Sequence, residues 1–206
     1  MSVDSSETKE SIRALHRGRR AATDTGQRDK AGAALAIHGS AWAKQLAGDT
    51  PSTFCVYLGV VPEPPTLPLL QELHRLGHRV LLPVCEPGRR LSWAEWTPAV
   101  EFVRSRFAPV LEPAGPHHGL GIMASVSALY IPATAVDRSG NRIGQGGGYY
   151  DVLLASLDGE GLDIPLAAIV FDSELLPDGS IPAEAFDRKV PAVLTPSGLV
   201  RLADGS

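Results

Sequence analysis

Cysteine is scarce in this chain of 206 residues: Cys55 and Cys85 are the only two, each inside an apolar run (FCVYL and LLPVC). With no charged-then-apolar signal segment at the N-terminus, that usage fits a reduced, cytoplasmic protein. Long apolar runs are missing as well. Nothing approaches the roughly 18 consecutive apolar residues a membrane span needs, so a soluble chain with no membrane partner is expected. An overall basic balance is also absent. The formal net charge is −4, which argues against a nucleic-acid partner and leaves room for one local anion site. The exception is residues 9 to 20, where Lys9, Arg13, Arg17, Arg19 and Arg20 stand against the single acid Glu10. No Gly/Ser-rich linker, internal repeat or low-complexity tract divides the sequence. Residues 1–206 are therefore read as a single domain, and the protein as a monomer.

What is present is an alternation of short apolar runs with amphipathic segments. From Ser5 to Ala22 there is no proline, and Lys9, Arg13, Arg17 and Arg20 recur at intervals that line one face of a helix. Arg17 and Arg20 are expected to face solvent. A second helix is expected from about Gln27 to Leu46, with Leu35, Ile37, Trp42 and Leu46 as its apolar contributors. The run TFCVYLGVV, residues 53–61, reads as a buried strand ending in the Pro62–Pro65 turn. Thr66 is placed to cap a helix that runs to about Leu76 and stops at Gly77. HRVLLPV, residues 78–84, is the next strand, and strand, helix, strand at this spacing predicts a right-handed βαβ unit in a parallel sheet.

A strand at 90–96 leads into Pro-rich, irregular backbone, in which His117-His118 beside Pro116 and Gly119 reads as a surface turn without further ligands at metal spacing. The alternation resumes with ALYIPATAV (128–136) as a strand, a glycine-rich segment, a helix from about Tyr149 to Leu157, the strand LAAIVF (166–171) and a last short strand, Val190 to Leu194. The predicted fold is α/β, a three-layer α/β/α sandwich with a mostly parallel sheet. Ligands bind such sheets beyond the carboxyl ends of the strands. The Pro62 turn and the Gly144 loop both follow strand ends, so both can line one crevice.

Gly144, Gly146, Gly147 and Gly148 fill four of five positions before Tyr149-Tyr150-Asp151 and the apolar run VLLASL. A helix start built this way loses about 1 kcal/mol per glycine against alanine, so the backbone must need positive φ angles or the close approach of another group. A strand that turns through glycines into a helix points N–H groups outward at the positive end of the helix dipole, which suits a phosphate. Arg142 stands two residues before the loop. The segment is neither a Walker A loop, which would continue Gly-Lys-Ser/Thr, nor the dinucleotide fingerprint, whose third glycine would fall at Tyr149. Spacing alone leaves a phosphate cradle and a structural turn both open.

The stretch IPATAVDRSGNRIGQGGGYYD resembles the signature of the 5-formyltetrahydrofolate cyclo-ligase family: an apolar strand with Pro, an Asp before a turn, then Arg, an apolar residue, G-x-G-x-G and Tyr-Tyr-Asp. The resemblance extends from Lys9 to Asp187. It implies ATP-driven ring closure of 5-formyltetrahydrofolate to 5,10-methenyltetrahydrofolate, in which the formyl oxygen attacks the γ-phosphate, N10 adds to the activated carbon, and phosphate leaves. ATP as co-substrate, Mg²⁺ and a reduced folate are the implied small molecules.

Residue by residue, the resemblance implies that Lys9 and Arg13, matching Lys-x-x-x-Arg of the family's first helix, contact the polyphosphate. Arg142, Gly144, Gln145, Gly146, Gly147, Gly148, Tyr149 and Tyr150 would form the rest of the ATP site. Glu63, in Glu-Pro-Pro-Thr, would bind the folate with Leu58 beside it, while Phe107 in FAPVLEP, Tyr149 and Tyr150 would flank the pterin ring. Asp151 and Asp187 would form the magnesium site, consistent with a cation that takes one or two carboxylates plus phosphate oxygens and water. Val152 and Pro191 depart from the family's pattern at positions that touch no implied ligand. Two rivals stand beside this reading: a non-catalytic α/β module binding a phosphorylated metabolite, and an enzyme of sugar-phosphate or CoA chemistry.

Overall fold

The short apolar runs are buried almost without interruption, as strands covered by helices on both faces of one sheet must be. The computed structural model describes residues 8–184 and 187–202; the expected helix start at Ser5 lies outside them. In chain order the elements begin with α1 (Lys9–Ala21), α2 (Thr25–Ala47), β1 (Thr53–Cys55), α3 (Leu67–Arg75), β2 (Arg79–Glu86) and β3 (Arg90–Trp96). Three short strands follow, β4 (Phe102–Arg104), β5 (Leu111–Pro113) and β6 (His117–His118), then β7 (Val126–Pro132), β8 (Ala135–Asp137) and β9 (Arg142–Ile143). The chain continues through α4 (Tyr149–Gly159), β10 (Leu166–Ile169), β11 (Leu175–Leu176), β12 (Ala192–Thr195) and β13 (Gly198–Arg201).

Eight strands form the central sheet in the order β13-β12-β10-β7-β1-β2-β3-β6. Its middle, β12 to β2, is parallel, while β13 on one edge and β3 with β6 on the other are antiparallel. Because successive strand side chains point to opposite faces, Phe54, Leu82, Tyr130, Ile169 and Leu194 meet α2 and α3. Their neighbours Cys55, Leu81, Leu129, Ala168 and Val193 meet α4 through Leu153, Leu154 and Leu157. The three layers are thus an α/β/α sandwich with a mostly parallel sheet, as expected. Leu69, Leu70 and Leu73 of α3 are fully buried, each worth about 1.5–3 kcal/mol relative to exposure. Trp42 of α2 meets Tyr130 of β7 edge to face with ring centroids 5.0 Å apart. Among the described residues no helix is long and apolar enough to cross a membrane.

Several expected boundaries shift, each for a local reason. Ile37 is 66% exposed and Leu46 lies near the surface, because the buried stripe of α2 runs through Ala31, Leu35, Ala36, Trp42 and Ala43. The strand read over 53–61 pairs only over Thr53–Cys55; Val56 and Tyr57 stay buried beyond it. Thr66 stands at the N-cap position of α3, as expected, but its side chain makes no capping hydrogen bond. Its hydroxyl donates instead to Tyr57 O at 2.5 Å and accepts from Gly59 N at 2.8 Å, tying the turn to the end of β1.

The run 128–136 is not one strand. It leaves the central sheet after Pro132 and enters a second, three-stranded sheet ordered β11-β8-β9, on which α1 packs through Ile12, Ala135, Ile143 and Ile181. His117-His118 is an edge strand against Ala94 and Trp93, not a turn. The expected last strand, 190–194, begins at Ala192, and β13 folds back onto it.

Candidate active site

A cavity of about 1000 Å³ opens at the carboxyl ends of β1, β2 and β7, lined there by Tyr57 and Leu58, by Cys85, and by Pro132 and Ala133. Every site residue expected from the sequence lines it: Lys9, Arg13, Leu58, Glu63, Phe107, Arg142, Gly144 through Gly148, Tyr149, Tyr150, Asp151 and Asp187. These positions come from five separate stretches of chain, brought together by the fold.

The glycine loop joins β9 to α4. Gly148 is the residue before the helix, left-handed at φ +73°, and Gly146 has φ +96°. At Gly148 a Cβ would press on the Arg89 side chain, with Nη1 3.3 Å away. The first residues of α4 therefore present their N–H groups with no side-chain cap. Arg142 is buried at the base of the loop and ion-paired to Asp151.

From the other side, α1 delivers two cations. Thr8 caps the helix by accepting from Ser11 N at 3.1 Å, which fixes the first turn. Lys9 Nζ lies 2.6 Å from Asp187 Oδ2 and 3.2 Å from Glu184 Oε2. Burial by itself depresses the Lys9 ammonium, but the hydrogen bonds to Asp187 and Glu184 outweigh it and its pKa stands above the ordinary value. Arg13 Nε donates to Gly144 O at 2.9 Å, and Nη1 pairs with Glu10 at 3.1 Å. Arg17 pairs with Glu10 and is half exposed, as expected.

Arg20 corrects the sequence reading. Expected in solvent, it is 2% exposed and donates from Nε and Nη2 to Glu174 at 2.6 and 2.8 Å, and from Nη2 to the cavity-lining Ala133 O at 2.7 Å. The basic face of α1 turns inward at its last turn because α1 lies against β8 and the chain around Glu174.

Glu63 reaches the cavity from the Pro-rich turn. Burial raises its pKa, offset in part by Val60 N, by the charge of Arg20 and by a hydrogen bond from Gln145. The turn is anchored by Arg28, which donates to Pro62 O at 2.9 Å and Glu63 O at 2.7 Å. Gly59 is required where it stands, since a Cβ there would overlap Pro64 O. Phe107 is 49% exposed and so does not serve the core; its carbonyl accepts from Tyr149 Oη at 3.1 Å. Burial pushes the Tyr150 phenol far above its ordinary pKa, and the Cys85 thiol up to about 11. Both stay neutral and contribute shape rather than charge.

Asp151 and Asp187 supply oxygen donors on the same cavity. Among the described residues no group of three or more His, Cys, Asp or Glu could hold a metal by itself. A cation held here would complete its shell with ligand oxygens and water, which is the habit of magnesium.

Sequence reasoning missed Tyr57, Arg28, Arg89 and Glu184. Tyr57 sits in a run that reads as plain strand, and Arg28 and Glu184 act through contacts with residues far away in sequence. Arg89 had one local signal, the Pro-Gly before it that marks a turn next to the site.

The 5-formyltetrahydrofolate cyclo-ligase family model matches residues 5–196. The chain is 36% identical over 177 residues to the 5-formyltetrahydrofolate cyclo-ligase of Mycolicibacterium smegmatis, covering 83% of this chain and 86% of that one. To the Escherichia coli K12 enzyme of the same name it is 32% identical over 147 residues, covering 70% and 78%. The fold is similar to that of Aquifex aeolicus 5,10-methenyltetrahydrofolate synthetase, with a TM-score of 0.71 at 22% identity over 96% of this chain and 94% of that one. The Mycoplasma pneumoniae synthetase gives 0.67 at 15% identity, over 91% and 98%. A match across nearly the whole length, with the glycine loop, the Lys9–Arg13 helix and Glu63 on one cavity, makes this chain a member of the 5-formyltetrahydrofolate cyclo-ligase family.

Proposed function

We propose that the chain, as a single domain acting as a cytoplasmic monomer, catalyses ATP-dependent closure of 5-formyltetrahydrofolate to 5,10-methenyltetrahydrofolate, releasing ADP and phosphate. The observation that carries this is the convergence of Lys9, Arg13 and Arg142, a glycine loop at a helix start and the half-buried Glu63 carboxyl on one cavity. Its volume of about 1000 Å³ is at the upper end for ligand pockets, as two substrates require.

The formyl oxygen is a poor leaving group until phosphorylated, so the protein's work is positioning and charge neutralisation. The loop amides from Gly144 to Gly148, with Gln145 and Tyr149, cradle the polyphosphate. Lys9, Arg13 and Arg142 spread the charge of the phosphoryl group in transfer. Glu63 orients the reduced folate, with Leu58 beneath it and Phe107 and Tyr150 flanking the pterin. The raised pKa of Glu63 suits a carboxyl that shares a proton with a polar ring edge. Asp151 and Asp187 would hold magnesium, which when bound neutralises phosphate charge.

Mixing purified protein with 5-formyltetrahydrofolate, ATP and Mg²⁺ and following methenyl absorbance tests the reading. Product formation that depends on ATP is expected. Nucleotide binding by folded protein without product would favour a non-catalytic phosphate-binding module instead.

A further inference from the structure

Arg89 is the one non-glycine residue with positive φ among the described residues, at +61°. It follows Gly88, φ +72°, in the short connection Pro87–Arg89 that links β2 to β3 where Glu86 pairs with Arg90. A left-handed L-residue crowds its Cβ against the next carbonyl, and such hairpin positions ordinarily fall to Gly, Asn or Asp. Backbone strain of this kind persists where a site uses it.

Packing does not explain the residue, since Arg89 is exposed. Its position does: it lines the cavity, and its guanidinium lies over the last residue of the glycine loop, Nη1 and Cδ standing 3.3 and 3.4 Å from where a Cβ at Gly148 would be. The charges around it point the same way. Lys9 is paired with Asp187 and Glu184, Arg13 with Glu10, and Arg142 with Asp151. Arg89 makes no ion pair with any described residue.

We propose that Arg89 is a further phosphate-binding residue: its guanidinium closes the glycine loop at the Gly148 end and holds an oxygen of the nucleotide's polyphosphate. It supplies positive charge that the other cations provide only by giving up a carboxylate. Guanidinium suits this task because its planar fork can hold two oxygens at once. The inference rests on the ATP reading of the loop.

Arg89→Gly separates charge from backbone, because glycine takes φ near +60° without strain. Its melting temperature should match or exceed that of the parent protein. Calorimetry with inorganic tripolyphosphate, in the absence of folate, should give a dissociation constant raised about tenfold, and Arg89→Lys should recover part of the loss. In turnover, KM for ATP should rise while KM for the folate stays in place. Unchanged tripolyphosphate affinity in Arg89→Gly overturns the proposal. So does a KM increase confined to the folate, which would put the guanidinium on a carboxylate of that substrate. If the parent protein binds tripolyphosphate through Arg89 yet forms no methenyl product, the reaction reading falls and the phosphate site stands.

Discussion

Lys9 Nζ lies 2.6 Å from Asp187 Oδ2, and across the glycine loop Arg142 is paired in the same way with Asp151. Each carboxylate expected to hold magnesium is therefore held by a cation expected to hold phosphate. The cavity is charge-compensated, and nucleotide with magnesium would exchange the partners: carboxylates to metal, cations to phosphate. Removing one member of a pair both deletes a ligand contact and leaves the other uncompensated.

Lys9→Ala should raise KM for ATP about tenfold, the worth of one charge-assisted hydrogen bond, with KM for the folate little changed. Asp187→Ala should act on the same step, and the double variant should cost less than the sum of the singles. Additive losses would mean that the pair has no shared role. Because the Lys9 pKa is raised above its ordinary 10.5, the pair's stabilising effect should be complete below that value. It should be lost as pH rises through the folded-state pKa, so thermal melts of the parent and Lys9→Ala should converge only in strong alkali.

Arg142→Ala should lower kcat/KM for ATP by about 10²- to 10³-fold, the loss typical when one preorganised donor to a developing charge is removed. Arg142→Lys should recover little, since a compact ammonium cannot reproduce the fork that meets Asp151. Steady-state kinetics at varied ATP will check both. Parent-like values for either variant would remove Arg142 from the phosphate site.

Glu63→Gln should raise KM for the folate and leave KM for ATP in place. It should also change the pH dependence of stability. Burial raises the Glu63 pKa above 4.5, so the folded state holds this proton more tightly than the unfolded chain, and the parent protein loses stability as pH climbs from that ordinary value through the raised one. Melting temperatures of the variant and parent, compared from acid to neutral pH, should diverge in favour of Glu63→Gln. A constant difference would place Glu63 in an environment much like water.

Arg20→Ala should destabilise the fold by about 3–5 kcal/mol, because it strands the buried Glu174 carboxylate. Replacing both partners by Met and Leu should restore much of that stability, since the pair's desolvation cost disappears with it. Urea unfolding of the three proteins decides the matter. A small effect for the single variant would mean that water reaches Glu174.

What could be read along the chain was of two kinds. Short continuous apolar runs such as FCVYL and LAAI marked strands buried on both faces, and glycines packed between a strand and VLLASL marked the loop, because apolar runs and left-handed backbone are local properties. The Tyr-Tyr-Asp motif and Glu-Pro-Pro-Thr carried the family. Boundaries were less legible. ALYIPATAV looks like one strand because each half is apolar, yet hydrogen bonding hands it from one sheet to another after Pro132.

Sequence by itself determined the layered α/β design, the glycine loop and the residues that gather around it, since propensity, periodicity and motif all act over a few residues. Tertiary structure decided the partners. Arg13, Arg17 and Arg20 share one helical face in sequence, but only the packing of α1 on β8 sends Arg13 to Gly144 O and buries Arg20 against Glu174 while Arg17 stays near solvent. Long-range pairing likewise joined Lys9 to Asp187, and the β2–β3 connection brought Arg89 to Gly148. Ionic contacts depend on distance and burial in space, which spacing along a chain does not encode.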